Sequence, residues 1–439
     1  MNEIKRVIGM RDFLPDDHRF FTFLKKVYRH ELRKNGYRRI STPLLEYTST
    51  LEKVYAGTDI MKKTVYSFVD DDGVALSLRS DAAVGVLRAY VDANMSEEIQ
   101  PIHFYHIDRY FRKDSLGVES GLKQFYTIGG EVIGEQDPIL DVQQIYINYK
   151  ILSSIGLDGK YELVINSFGN KKEIEKYKEE LRNFYENKKH LLSPESIENL
   201  EKNPFMLLVS SLEDEQILAR QAPSAVKFLK KESKEYYTKM KKYLDILGIP
   251  YREDHTLVHL LQYYNNSVWK LALKDTGKNL VVGGRYDMMA EKMGYEQEIP
   301  ASGFTVRIER IIKILKENNI NIKSKDRIDL YFVQLGDEAK EIVLPLSLEA
   351  RAKGINTLSS LGTPSLKEQM LKAQRIGAKF VVIVGVMEAR SGKFQVRNME
   401  AGTQAEIKKE ELIEYIIEKI GKEKLDFYDP AKELLIGKA

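Results

Sequence analysis

The chain has 439 residues, 43% hydrophobic and 30% charged, with a formal net charge of +3. That is enough length for two or three domains with sizeable cores, and the near-neutral balance excludes a strong global field for nucleic acid while leaving room for a local patch. There is no cysteine, which excludes disulfides and thiolate zinc sites and fits a reducing compartment.

The opening residues, MNEIKRVIG, are charged rather than apolar. No signal peptide is expected, no apolar run nears the roughly 20 residues that span a bilayer, and a cytoplasmic setting follows. The seven histidines show no metal-like cluster. His103 and His106 are three apart on a strand-like run and so face opposite ways, and no metal site is expected from the protein alone.

In chain order, residues 8–15 (IGMRDFLP) read as an extended, turn-rich entry. Residues 16–35 predict an amphipathic helix: Phe20, Leu24, Val27 and Tyr28 recur at helical spacing, Phe21, Phe23 and Leu32 widen the face, and Gly36 ends it. YRRISTPLLEY predicts a strand, with Pro43 where pairing should break or meet an edge. Runs at 65–69 and 74–79 flank the turn Asp70-Asp71-Asp72-Gly73 and predict a hairpin. Residues 80–94 predict a helix capped by Ser80 or Asp81. A longer hairpin follows, then a helix near 139–155.

From about 170 to 250, Lys and Glu dominate with helical periodicity. This predicts a helical insertion whose charges are a solvated face with i,i+4 pairs, a tRNA-facing role being the alternative. Strand-like segments resume at 259–273, 279–287 and 302–310, then a helix begins at Arg310. The inserted helices thus interrupt one antiparallel-sheet domain. A polar link at Lys323–Lys325 leads into alternating strands and helices from IDLYFVQL to KKEELIEYIIEKI. That alternation predicts a small α/β domain with a mostly parallel sheet.

The long hairpin, Tyr105–Gly134, is the first candidate site. Its loop is too long for a tight turn, and long loops in compact domains are often functional. Arg112, Lys113 and Asp114 stand at one base and Glu131 on the returning strand. Fixed cations and a carboxylate on a sheet suit a phosphorylated, amine-bearing substrate.

Taken jointly, the motifs resemble histidyl-tRNA synthetases of the bacterial type, a class II aminoacyl-tRNA synthetase family. GMRDFLP resembles the N-terminal signature and TPLLEY motif 1; LRSDAAV stands at an LRPEGT-like run, and the long hairpin resembles motif 2. NPFMLLVSS, APSAVKFLKKES and LGIPYREDHTLV follow the insertion region in order; YYNNSVW resembles the histidine-specific segment, GGRYD the glycine-rich turn, GFTVRIERI motif 3, and SLKEQMLKAQRIGAKFVVIVG the anticodon-binding domain.

The resemblance covers nearly the whole chain. It implies an α+β class II antiparallel core over 1–325, with the helical insertion inside it. It further implies an anticodon-binding-like α/β domain over 326–422 and a C-terminal tail over 423–439. It implies a homodimer through motif 1 and tRNA binding through the last domain. Arg112 would contact the α-phosphate of ATP, supplied with Mg, and Arg310 the triphosphate tail. Asp81 and Glu131 would hold the amine or imidazole of histidine, with Thr127, Tyr263 and Tyr264 lining its pocket. Asp114, Phe125, Gly283, Gly284, Arg285 and Arg307 would complete the ATP site, the glycines by admitting backbone close to the ligand.

Several departures fall in that pocket. The family's Arg-Gly-Leu-Asp run is His259-Leu260-Leu261-Gln262 here, so the histidine-specific arginine is absent. Losing one such donor costs about a hundred- to a thousandfold in rate. Thr127 replaces a glutamine, Leu116-Gly117 a Pro-Gln, Val282 a glycine, and Arg307 a glycine that floors the adenine site. Arg307 either substitutes for the missing arginine or crowds the base, and a protonated His259 is a second substitute.

The favoured expectation is a paralogue with impaired histidine activation that binds tRNA, histidine or a partner. The alternatives are a working, divergent histidine–tRNA ligase and a histidine-sensing regulatory subunit of ATP phosphoribosyltransferase. Asp81 in LRSD is closer to that subunit's usual run, but the long insertion and last domain are not.

Overall fold

The strands of the first part of the chain are β1 (Arg38–Arg39), β2 (Leu45–Tyr47), β3 (Ser67–Val69), β4 (Ala75–Leu78), β5 (Ile102–Phe111), β6 (Gln124–Ile133), β7 (Tyr161–Ser167), β8 (Tyr251–Glu253), β9 (Asn265–Leu273), β10 (Asn279–Arg285) and β11 (Ala301–Arg307). The computed structural model describes residues 5–56, 58–113, 121–259, 261, 263–322, 328–360 and 365–427. The chain divides into two units, Met1–Ile322 and Lys323–Ala439.

In the first unit, one sheet runs β1-β5-β6-β11-β10-β9-β7-β8. Its neighbours are antiparallel except β1 with β5 and β7 with β8. The predicted long hairpin is β5–β6, paired from Ile102 opposite Ile133 to Phe111 opposite Gln124. The predicted first helix is Pro15–Lys34, which buries Phe20, Phe21, Leu24, Tyr28 and Leu32. These side chains join residues of the helices Pro138–Leu152 and Ile308–Glu317 in a core under one face of the sheet. The helices cover that face, and side-chain alternation sends the other residues to the opposite face, where a smaller core includes the helix residues Val84, Leu87 and Tyr90.

Three expectations change. YRRISTPLLEY is two strands in two sheets: β1 pairs with β5, while β2 joins a three-stranded sheet β2-β4-β3. The change of sheet spans Pro43, which has no amide N–H to give to a ladder. The segment His259–Tyr264 precedes β9 rather than opening it. The helix after Ser80 is Ala83–Asp92, with Ala82 at its N-cap and no side-chain cap. The capping expectation fails there because Ser80 and Asp81 bond to Tyr55 instead.

The helical insertion contains Lys171–Glu186, Pro194–Lys202, Glu213–Gln221 and Lys231–Ile246. Its charges include the pairs Glu175–Lys178, Glu186–Lys189 and Glu198–Lys202. The last helix also buries Tyr237, Met240 and Leu244 in the main core, so it is packed into the unit rather than appended to it. The buried strand β7, unassigned in the sequence reading, lies between β8 and β9.

The second unit contains β12 (Leu330–Gln334), β13 (Thr357–Ser359), β14 (Phe380–Val384), β15 (Lys393–Asn398) and β16 (Gln404–Lys408), in the order β13-β12-β14-β15-β16. The first three are parallel, but β15 and β16 return antiparallel. The sheet is mixed rather than mostly parallel because the link from Val384 to Lys393 is shorter than the dozen or so residues of a parallel crossover. Helices Asp337–Ala352 and Leu412–Ile420 contribute to its core. At the start of the tail, Asp426 donates its amide to Gly354 O at 2.8 Å. No described helix is long and apolar enough to cross a membrane.

Candidate active site

The other face of the large sheet, packed in part by the helix Ala83–Asp92, carries a cavity of about 280 Å³. Strand β6 contributes Phe125, Thr127 and Glu131, and β11 contributes Gly303, Thr305 and Arg307. The register sets Glu131 opposite Gly303 and Thr127 opposite Arg307, so period-2 alternation sends all of them to one side. Asp81, Arg112, His259, Tyr263 and Tyr264 complete the predicted residues that line it.

One end is acidic. Glu131 is buried and accepts a hydrogen bond of 2.5 Å from the Tyr286 hydroxyl. Its other oxygen lies 3.5 Å from His106 Nε2, and His106 Nδ1 shares a hydrogen bond of 3.0 Å with the Tyr110 hydroxyl. Burial raises the Glu131 pKa above the usual carboxylate value, against the lowering influence of His106 and Tyr286. Only glycine fits at position 303, where a Cβ would stand 1.6 Å from Glu131 Oε2. The Tyr55 hydroxyl donates to Asp81 Oδ2, while Oδ1 is buried and has no hydrogen-bond partner among the described residues. Buried Tyr263 stands 4.9 Å from the Tyr264 ring.

The other end is cationic. Arg112 donates its Nε to Ser80 O at 3.1 Å and lies 5.6 Å over the Phe125 ring. The Arg307 Nε is buried and has no partner among the described residues. Burial lowers the Arg307 pKa to about 9, and the charges of Arg112 and Arg310 push the same way.

His259 does not supply a third charge. Its ring stacks on Tyr264 with centroids 3.9 Å apart and planes 15° apart. Its Nε2 is 3.1 Å from Gly283 O, which assigns the proton to Nε2. Burial lowers its pKa to about 4; the Gly283 carbonyl pulls it up and Arg307 pushes it down. The imidazole is therefore neutral at pH 7, and the expectation that protonated His259 replaces an arginine is corrected.

Other predicted residues sit elsewhere. Arg285 is enclosed: it pairs with Asp141 and Asp287 at 3.1 Å each, and donates to Tyr236 Oη at 2.9 Å and Glu135 O at 3.0 Å. It ties strand β10 to two helices and leaves no face to a nucleotide. Gly283 and Gly284 admit protein rather than ligand. A Cβ at 283 would meet the Trp269 ring at 2.3 Å, and one at 284 would meet Ser267 O at 2.9 Å. Arg310 donates to Asn279 O at 2.6 Å and lines a second, basic cavity with Lys160, Lys274, Lys278 and Lys313. Asp114, Leu116 and Gly117 lie outside the described residues. The sequence reading missed Tyr55, His106, Tyr110 and Tyr286. His106 and Tyr110 stood on the singled-out hairpin, and Tyr286 follows the noted Arg285, so position was the available signal.

A family model described as Histidyl-tRNA synthetase matches residues 9–311, and one described as Anticodon binding domain matches residues 320–419. The chain is 32% identical over 416 residues to the histidine–tRNA ligase of Halothermothrix orenii, covering 94% of this chain and 98% of that protein. It is 32% identical over 415 residues to the Bacillus velezensis ligase, covering 93% and 97%. The apo histidyl-tRNA synthetase of S. aureus superposes with a TM-score of 0.77 at 30% identity, over 95% of this chain and 100% of that one. A chain from Bacillus halodurans described as an ATP phosphoribosyltransferase regulatory subunit/histidyl-tRNA synthetase shares the fold at 20% identity, with a TM-score of 0.63 over 87% and 98% of the two chains. With this likeness running through both units, the chain belongs to the histidyl-tRNA synthetase family, with the class II synthetase fold and an anticodon-binding domain.

Proposed function

We propose that this protein is a histidyl-tRNA synthetase paralogue that keeps histidine binding and has impaired histidine activation. The observation that carries this reading is the uneven cavity. Its acidic end is complete, whereas the family's arginine position holds a neutral His259 stacked on Tyr264. Glu131 and the unpartnered Asp81 Oδ1 suit the ammonium and imidazole N–H groups of histidine. Tyr263 and Tyr264 form an apolar wall for the ring.

Activation would join a histidine carboxylate oxygen to the α-phosphorus of ATP as pyrophosphate leaves. Negative charge must then be held on the α-phosphate oxygens. Arg112 on the cavity wall is the candidate for that charge, and Arg310 on the second cavity is the candidate for the triphosphate tail. The anticodon-binding match supports tRNA as a partner of the second unit. Exposed Leu45, Tyr47, Phe68 and Val69, on the small sheet that includes the end of the motif 1 segment, support a homodimer.

A working, divergent ligase is the second reading, favoured by Arg307 as another guanidinium in the cavity. The two are separated by histidine-dependent ATP–pyrophosphate exchange, run beside calorimetric titration with histidine. The expected result is measurable binding with exchange about a hundredfold or more below that of a working ligase. Exchange at the ligase's rate establishes the second reading, and absence of histidine binding removes both.

A further inference from the structure

Arg307 is the least satisfied cation of the cavity. Its Nε is buried without a partner, and no hydrogen bond or ion pair reaches its side chain among the described residues. Arg112, on the same cavity, and Arg310 repel it, outweighing the attraction of Glu309. A half-buried guanidinium beside like charges, its Nε shut off from water, is unfavourable until an anion completes it. The strand register says where that anion meets the rest of a ligand. Arg307 pairs with Thr127, four residues along β6 from Glu131, and both ends face the same cavity. Four residues of strand span about 13 Å. A small amino acid with a hydrogen bond at each end fits that span.

Resting on the reading of the cavity as a histidine site, we propose that Arg307 and Arg112 clamp the carboxylate of the free amino acid while Glu131 and Asp81 hold its nitrogens. The clamp makes Arg307 a specificity residue for an intact, unactivated α-carboxylate. It also gives the weak activation a cause. Two guanidinium groups on the carboxylate stabilise the ground state and withdraw charge from the oxygen that must attack phosphorus, so binding energy goes to retention rather than to the transition state.

The test is calorimetric titration of the full chain with histidine and with histidinol, which keeps the amine and imidazole and lacks the carboxylate. Wild type is expected to prefer histidine by about tenfold or more, the scale of a charge-assisted pair. Arg307→Met should weaken histidine severalfold, narrowing its lead over histidinol with Arg112 still in place, and leave histidinol no weaker. The same variant without ligand should melt at or above the wild-type temperature, because an unpaired cation has been removed. Equal affinities in wild type, unchanged histidine binding in Arg307→Met, or a lower melting temperature of the free variant each overturn the clamp. When any of these occurs with histidine still bound by wild type, the reading of the cavity stands. If wild type binds neither compound, that reading falls and the clamp falls with it.

Discussion

Glu309 shows how a single residue is set by its surroundings. It opens the helix Ile308–Glu317 and accepts the Tyr126 amide at 2.6 Å. Burial raises its pKa from 4.5 to about 7, opposed by backbone hydrogen bonds and by Arg307 and Arg11. The folded state thus holds a proton that the unfolded chain has released. This contribution is full below about pH 4.5 and is lost as pH rises towards 7. Glu309→Gln keeps an acceptor for Tyr126 without the charge. Thermal melts at several pH values should show it more stable than wild type at pH 8, with a flatter slope between pH 5 and 7. An unchanged slope would show that Glu309 titrates as an ordinary carboxylate. At this scale the sequence made Arg112, Glu131 and the paired tyrosines legible, because residue type and motif position mark them. It did not reveal His106 or Tyr55, whose importance lies only in what they touch.

At the scale of the element, the sheet face depends on where a side chain is missing. Gly303 on β11 stands opposite Glu131 on β6. Gly303→Ala would drive its Cβ into the carboxylate, so Glu131 must leave its place. The overpacking should cost roughly 1–3 kcal/mol in urea unfolding and remove most histidine affinity. Retained affinity in that variant would mean that Glu131 is not part of the pocket. The hairpin and its helices were readable from period and punctuation. The placement of β11 between β6 and β10 was not, since it joins segments far apart in the chain.

On the scale of the whole molecule, each unit has a core of its own. A chain ending at Ile322 should therefore fold, keep histidine binding in calorimetry, and lose tRNA binding in a mobility-shift assay. Undiminished tRNA binding would move that role to the first unit, where the insertion is the alternative surface.

Family, fold class and the order of most elements were determined by sequence alone, because periodicity and collinear motifs are local properties, whereas the buried strand β7 was not. Only the tertiary structure decided which charges face the cavity. Arg285 and Gly283 share one short run with Gly284, yet the first is sealed in a buried ion network and the second makes room for Trp269. His259 likewise stands at the arginine's place in the motif, yet it stacks on Tyr264 and burial lowers its pKa to about 4. Position along the chain is inherited by spacing, whereas direction, solvation and charge state are set by neighbours brought in from distant strands.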